Sequence, residues 1–417
     1  MGQTVLFVCS NQTHVRMFTR VARVLGQDGR VAPRWVALDR YYSHEAERAL
    51  QENGWTGYAL LPRPEGATGT PWEGTTWTRM RILLQGRGAV RTFLRAECPS
   101  VVVLGNDMGI LERLFISEAR SLDTPSLLVQ DGVIALRPVP APPVSLPLRV
   151  ARAAMTSLGL RLPDAKPYGQ NGADRIAVMG DAVARWLVGQ GVPAGRIVVT
   201  GQPRYDVLHV MRQGTAQSDV PNALNLPEGE KIILFCSQPY LRYNVCNEAE
   251  ARRIWRTVVE SVRGLGAGYH LVAKLHPAED LEQTRRWLGG DFPPEWTMTR
   301  DVDVLSLLWR ADVLITLISS TALEAICLGK PVVLLDMDIM PEPIPYSEAG
   351  AALRARSAQE LTQRLLEALY DVGTRQRLAG ARETFLPAYA GPLDGQAALR
   401  VAREIHALVA GGMLATP

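Results

Sequence analysis

The chain is 417 residues long, more than one ordinary hydrophobic core can hold and enough for two domains of usual size. Hydrophobic residues at 47% and charged residues at 21% exclude a disordered or fibrous chain, and a net charge of +3 is too small to indicate nucleic acid as a partner. Five cysteines without paired spacing give neither a disulfide framework nor a zinc knuckle, and no apolar run approaches the roughly twenty residues that span a bilayer.

The first element is a buried-strand pattern at 5–9, without a basic leader, which predicts a cytoplasmic protein. Ser10 and Asn11 follow it at the start of a helix and are expected to line a ligand cleft, with capping by Asn11 as the alternative. Further strands are predicted at 34–38, 101–104, 126–130, 175–179 and 197–200, separated by helical patterns, the alternation that builds a parallel sheet. Two stretches are basic: 76–95 carries Arg79, Arg81, Arg87, Arg91 and Arg95, and the insertion at 137–162, opened by four prolines, carries Arg149, Arg152 and Arg161 without an acid. These predict an electropositive face for peripheral contact with an anionic membrane or a charged acceptor, the alternative being a solvated face.

The strand at 126–130 runs into Asp131 and Gly132. A carboxylate there can act as general base on an acceptor hydroxyl, although Asp-Gly is also a common turn. Farther on, Gly201 permits close backbone approach, and Arg204 either meets a phosphate or pairs with Asp206. A polar stretch rich in turn residues then reads as a linker. The division expected is a domain at 1–207, a linker at 208–230, a second domain at 231–390 and a helix at 391–412 that packs back on the first domain.

The second half restarts with strands at 232–236, 270–274, 313–316 and 331–336. Ser237 and Gln238 close the first of these and are candidate pocket residues. The second ends in Lys274 and the pair His276-Pro277, where an imidazole can donate to a phosphate oxygen; an inert turn is the alternative. The third leads into Ser319, Ser320 and Thr321 at a helix start, whose hydroxyls and backbone N–H groups can hold a phosphate, with Glu324 one turn later in reach of a ribose. Simple capping by either serine is the alternative there. Two Asp-x-Asp strings, Asp301 with Asp303 and Asp336 with Asp338, have metal-binding spacing but are discounted as chance.

The segment 312–336 resembles the donor-binding segment of UDP-N-acetylglucosamine 2-epimerases, CDP-glycerol glycerophosphotransferases and capsule or lipopolysaccharide glycosyltransferases. The His-Pro pair followed about forty residues later by Ser-Ser resembles capsule sialyltransferases, Kdo transferases and teichoic acid glycerophosphotransferases. Asp131-Gly132 is similar to the acid-acid-glycine motif of polysialyltransferases, with Gln130 at its first position, while glycerophosphotransferases have a histidine before the glycine.

These resemblances imply an α/β fold of the GT-B kind, two Rossmann-like parallel-sheet domains facing an interdomain cleft. They imply a metal-independent inverting glycosyltransferase that moves a sugar from a CMP-, CDP- or UDP-linked donor to a cell-envelope polysaccharide or glycolipid, with no cofactor beyond the donor. Asp131 would be the base, His276 with Ser319, Ser320, Thr321 and Lys274 would hold the departing phosphate, and Glu324 the ribose. A CDP-glycerol-type polyol-phosphate transferase is the close alternative. A 2-epimerase is disfavoured because Cys236-Ser237-Gln238-Pro239 replaces its His-Arg-x-Glu-Asn signature, and Gln130 keeps open a non-catalytic nucleotide-sugar-binding subunit.

Overall fold

The computed structural model describes residues 3–42, 45–63, 76–136, 166–214, 224, 226–241, 245–339 and 341–411; for Asp28 and residues 76–84 it describes the backbone alone. The expected insertion at 137–162, the side chains of Arg79 and Arg81 and residues 215–223 and 225 of the expected linker lie outside that set.

The described residues form two compact units. Unit 1 runs to Ile134, resumes after residue 165 and continues to Asp206, and it takes in the chain again from Asp394. Its elements in order are β1 (Gln3–Cys9), α1 (Gln12–Asp28), β2 (Val31–Ala37), α2 (Glu45–Glu52), β3 (Tyr58–Leu60), α3 (Thr76–Glu97), β4 (Val101–Leu104), α4 (Ile110–Ser121), β5 (Ser126–Val129), β6 (Arg175–Val178), α5 (Asp181–Gly189) and β7 (Ile197–Val199). The helix α6 (Asp206–Arg212) carries the chain into unit 2. There follow β8 (Lys231–Cys236), α7 (Glu248–Arg263), β9 (Tyr269–Lys274), α8 (Leu281–Leu288), β10 (Thr297–Thr299), α9 (Val304–Arg310), β11 (Val313–Thr316), α10 (Thr321–Cys327), β12 (Val332–Leu335), β13 (Leu353–Ala355), α11 (Ala358–Tyr370) and α12 (Val372–Tyr389). The last helix, α13 (Ala397–Gly411), belongs to unit 1.

Both sheets are parallel throughout, ordered β3-β2-β1-β4-β5-β6-β7 and β10-β9-β8-β11-β12-β13. Strands such as Val101–Leu104 and Val313–Thr316 are buried along their whole length, as in parallel sheets covered on both faces. In each sheet the order reverses beside the first strand of the unit, β1 or β8, so the loops after these strands and their neighbours meet at one sheet end. The unit 1 core joins Phe7, Phe18, Trp35 and Val103 to Val401 and Ile405 of α13, and α13 packs along α1. The carboxylate of Asp206 fixes that helix, accepting from the N–H groups of Ala397 and Ala398 at 2.9 Å each.

Two arginines of the basic stretch of α3 also face inward partners. Arg87 and Arg91 approach the fully buried Glu118 of α4 at 2.6 and 3.1 Å, so these two guanidiniums neutralise an interior carboxylate. No helix among the described residues is long and apolar enough to cross a membrane.

Candidate active site

In unit 1 the predicted residues lie after β1, β5 and β7, and the loop after β4 meets the first two. Asn11 caps α1 by accepting from the N–H of His14 at 3.0 Å, which sets His14 in the first turn with its ring fully buried. The ring lies over Gly105 at the end of β4, where a Cβ would stand 2.5 Å from two ring atoms; only glycine makes this niche. The N–H of Ser10 points at Nδ1 at 3.3 Å, so Nδ1 accepts and the proton resides on Nε2. Nε2–H then donates to Oδ2 of Asp131 at 3.0 Å. Asp131 keeps 27% of its side chain exposed, so one carboxylate oxygen is held from beneath while the group stays open to solvent.

The remaining predicted residues of unit 1 have other work. Ser10 donates its hydroxyl to Glu112, which also accepts from Tyr42 at 2.9 Å; burial, followed by the Glu112 charge, pushes the Tyr42 phenol well up. Gln130 is buried, donating to the carbonyl of Gly132 at 2.7 Å and accepting from the N–H of Met179 at 3.0 Å. Its own carbonyl accepts from Gln202 at 2.6 Å. Gln130 therefore braces the turn at Gly132 against the end of β6 and the loop of Gln202. Gly201 adopts a positive φ of 76°, and the Arg204 guanidinium lies over the Tyr205 ring at 5.6 Å. The Asp206 carboxylate, expected as a partner for Arg204, instead receives the first N–H groups of α13.

In unit 2 the loop after β9 is organised by Glu279, which accepts from the hydroxyl of Ser237 and from the N–H of His276 at 2.8 Å. Burial pushes the Glu279 carboxyl up, partly offset by these two hydrogen bonds. Nδ1 of the exposed His276 accepts from the N–H of Ala278 at 3.0 Å, which leaves Nε2 to carry the proton. Lys274 differs from the expected phosphate ligand. It is 8% exposed and donates to the carbonyls of Leu275 and Arg300 at 2.8 and 2.6 Å, tying the loop after β10 to the His276 loop.

Gln238 bridges in the other direction, accepting from the N–H of Ile318 at 3.2 Å and from the Tyr240 hydroxyl. Ser319 receives the N–H of Thr321 at 3.2 Å and donates to its hydroxyl at 2.9 Å. Ser320 stands at the N-cap in helical geometry, φ −59°, and its side chain makes no capping bond. Glu324 is buried one turn into α10. Two hollows open at this end of unit 2: one of about 390 Å³ beside Ile318, Asp336 and Arg354, and one of about 660 Å³ beside Ser237, Glu279 and Trp287. Three of the four discounted acids have structural partners: Asp303 caps α9, Asp301 lies 3.0 Å from Arg300, and Asp336 lies 3.3 Å from Arg356. Among the described residues, no three side chains of the metal-ligating types converge.

Sequence reasoning did not single out His14, Glu112 or Glu279. His14 sat within the loop after β1, and Glu279 lies one helical turn beyond His276, but neither spacing announces its partner.

Two open parallel sheets of this order, with polar side chains concentrated after the first strand of each unit and its neighbours, are those of the GT-B fold class. The chain belongs to the CDP-glycerol:poly(glycerophosphate) glycerophosphotransferase family, whose model matches residues 190–407, just over half of its length. It is a transferase. Among solved structures it is similar to UDP-GlcNAc 2-epimerase from Neisseria meningitidis bound to UDP-GlcNAc, at 14% identity over 97% of this chain and 100% of that one, TM-score 0.66. It is also similar to a glycotransferase of kitacinnamycin, at 17% identity over 98% and 99%, TM-score 0.61. A third is the wall teichoic acid polymerase TagF with CDPG, at 14% identity over 99% of this chain and 90% of that one, TM-score 0.59. No curated protein matches the chain.

Proposed function

We propose that this enzyme transfers a polyol-phosphate group, of the glycerol-phosphate kind, from a cytidine-diphosphate-linked donor to a hydroxyl of a cell-envelope polymer. Family membership favours this over transfer of a sugar, and the observation that carries the chemistry is the fixed tautomer of His276. An Nε2–H on this exposed ring, in the loop that Glu279 organises, suits a phosphate oxygen that gains charge. The hydroxyls of Ser319, Ser320 and Thr321 add donors for the same group, and Glu324 is the acceptor for ribose hydroxyls. Asp131, oriented by His14, takes the proton of the attacking hydroxyl.

In this step the acceptor oxygen bonds to the distal phosphorus of the donor, the pyrophosphate P–O bond breaks, and CMP departs with the bond's electron pair. The proton ends on Asp131. The reading requires no metal, so transfer is expected to persist in a chelator.

Thermal unfolding of the purified protein with CMP, CDP, UMP, UDP and GDP tests the donor class. A nucleotide present at a hundred times its dissociation constant stabilises the folded state by about 2.7 kcal/mol. Cytidine nucleotides should stabilise most, and His276→Gln should lower transfer about a hundredfold, the scale of one transition-state donor. Preferential stabilisation by UDP or GDP would remove the cytidine donor and return the sugar-transfer reading.

A further inference from the structure

At the carboxyl end of α10, away from Ser319 and Ser320, unit 2 holds a third hollow of about 390 Å³. Its charged lining residues are Lys330, Arg375 and Arg382, and no carboxylate lines it. The walls between them are apolar, from Ile326, Ala351 and Leu378. The hollow lies one seven-residue helix from the serines, about 10 Å at 1.5 Å per residue, and at the opposite end of the sheet because Pro331 precedes β12.

The cations here are arranged for a ligand. Arg375 and Arg382 are seven residues apart on α12, two turns, and share one face. Neither makes an ion pair or side-chain hydrogen bond among the described residues, and Arg382 is half-buried. Burial first and then the neighbouring Arg212 lower the Arg382 pKa, while Glu383, its acidic helix neighbour, and Cys327 act in the opposite direction. Gly329, at φ +76°, lets the guanidinium come close: a Cβ there would stand 2.9 Å from Nη1 of Arg382. Lys330 is anchored, donating to the carbonyl of Trp309 at 2.7 Å, and Asp312 is held by Lys231 at 2.9 Å. Arg212 and Arg382 repel one another, and an anion bound in the hollow is attracted to the lining cations.

We propose that this hollow is a second anion site, one that takes a phosphate group of a phosphodiester polymer at a distance from the donor motif. Arg375 and Arg382 grip the phosphate oxygens, and the apolar walls receive the carbon skeleton next to it. The choice of polymer rests on the reading given under Proposed function; the site itself rests on its own lining.

The test is binding of a fluorescently labelled glycerol-phosphate oligomer to the full chain, followed by anisotropy. The Arg375→Gln/Arg382→Gln double variant should bind about tenfold more weakly, equivalent to about 1.4 kcal/mol, while stabilisation by CDP stays unchanged. Should the double variant lose cooperative unfolding, Arg375→Gln alone, an exposed position, carries the test with a loss of about threefold, or about 0.65 kcal/mol. Vesicles of phosphatidylglycerol against phosphatidylcholine form a second arm. Arginine-dependent binding to the anionic vesicles without binding to the oligomer keeps the site and assigns its phosphate to a lipid headgroup. Failure of the unaltered chain to bind either probe, or an affinity indifferent to both arginines, overturns the proposal. Loss of CDP stabilisation with oligomer binding intact strikes the donor reading and leaves this site standing.

Discussion

His14 exposes no surface, yet it has the most direct hold on the candidate base. Its orientation depends on three neighbours: the Asn11 cap, the Ser10 N–H and the absence of a side chain at Gly105. The donated Nε2–H steers one oxygen of Asp131 and leaves the other to accept a proton. Asp131→Asn is expected to lower turnover by about 10²–10⁴-fold, the usual range for a general base, with nucleotide binding unchanged. His14→Ala should reduce kcat about tenfold while the donor KM holds, because it loosens the base without removing it. Gly105→Ala forces the same ring to move and should reproduce that pattern. Steady-state kinetics of the three variants decide this, and full activity in Asp131→Asn would take Asp131 out of the mechanism. The sequence displayed Asp131 through its place after a strand, whereas its partner lies 117 residues earlier and no local pattern links them.

Among the elements, legibility followed strand length and burial. The β-branched runs that became β1, β4, β8 and β11 could be read because both faces are apolar. The three strands that went unread, β3, β10 and β13, are three residues long and lie at sheet edges with a single neighbour each. β7, equally short and at an edge, could still be read because Ile197, Val198 and Val199 are all β-branched, whereas the other three take their strand form from the partner. The same limit applied to Lys274 and Gln130, whose types suggested a ligand and a lost acid. Their partners are main-chain groups, and these cannot be distinguished in a sequence. The attachment of α13 gives an element-level prediction. Asp206→Ala removes the acceptor for two N–H groups in the first turn of that helix and should destabilise the protein by about 1–2 kcal/mol, measured by urea unfolding.

For the molecule as a whole, acid sensitivity has one identifiable contributor beside α13. Arg400 and the backbone hold the Asp394 carboxyl at about 2, below its ordinary value. A depressed folded-state pKa contributes stability that is complete above the unfolded value near 4 and is lost as pH falls through about 2. The melting-temperature gap between the natural protein and Asp394→Asn should therefore narrow as pH drops from 5 toward 2; a gap independent of pH would remove Asp394 as the cause.

The return of α13 to unit 1 also orders the events of synthesis. Unit 2 is continuous from Val207 through Leu393, 187 residues that a ribosome adds in about 10–40 s at about 5–20 residues per second. Until they are made, the α1 surface that Val401 and Ile405 will cover has no partner from its own core. Unit 2 can thus complete its fold while unit 1, begun earlier, still waits for its last helix, and chaperone contact during synthesis should concentrate on the portion of the chain that was translated first.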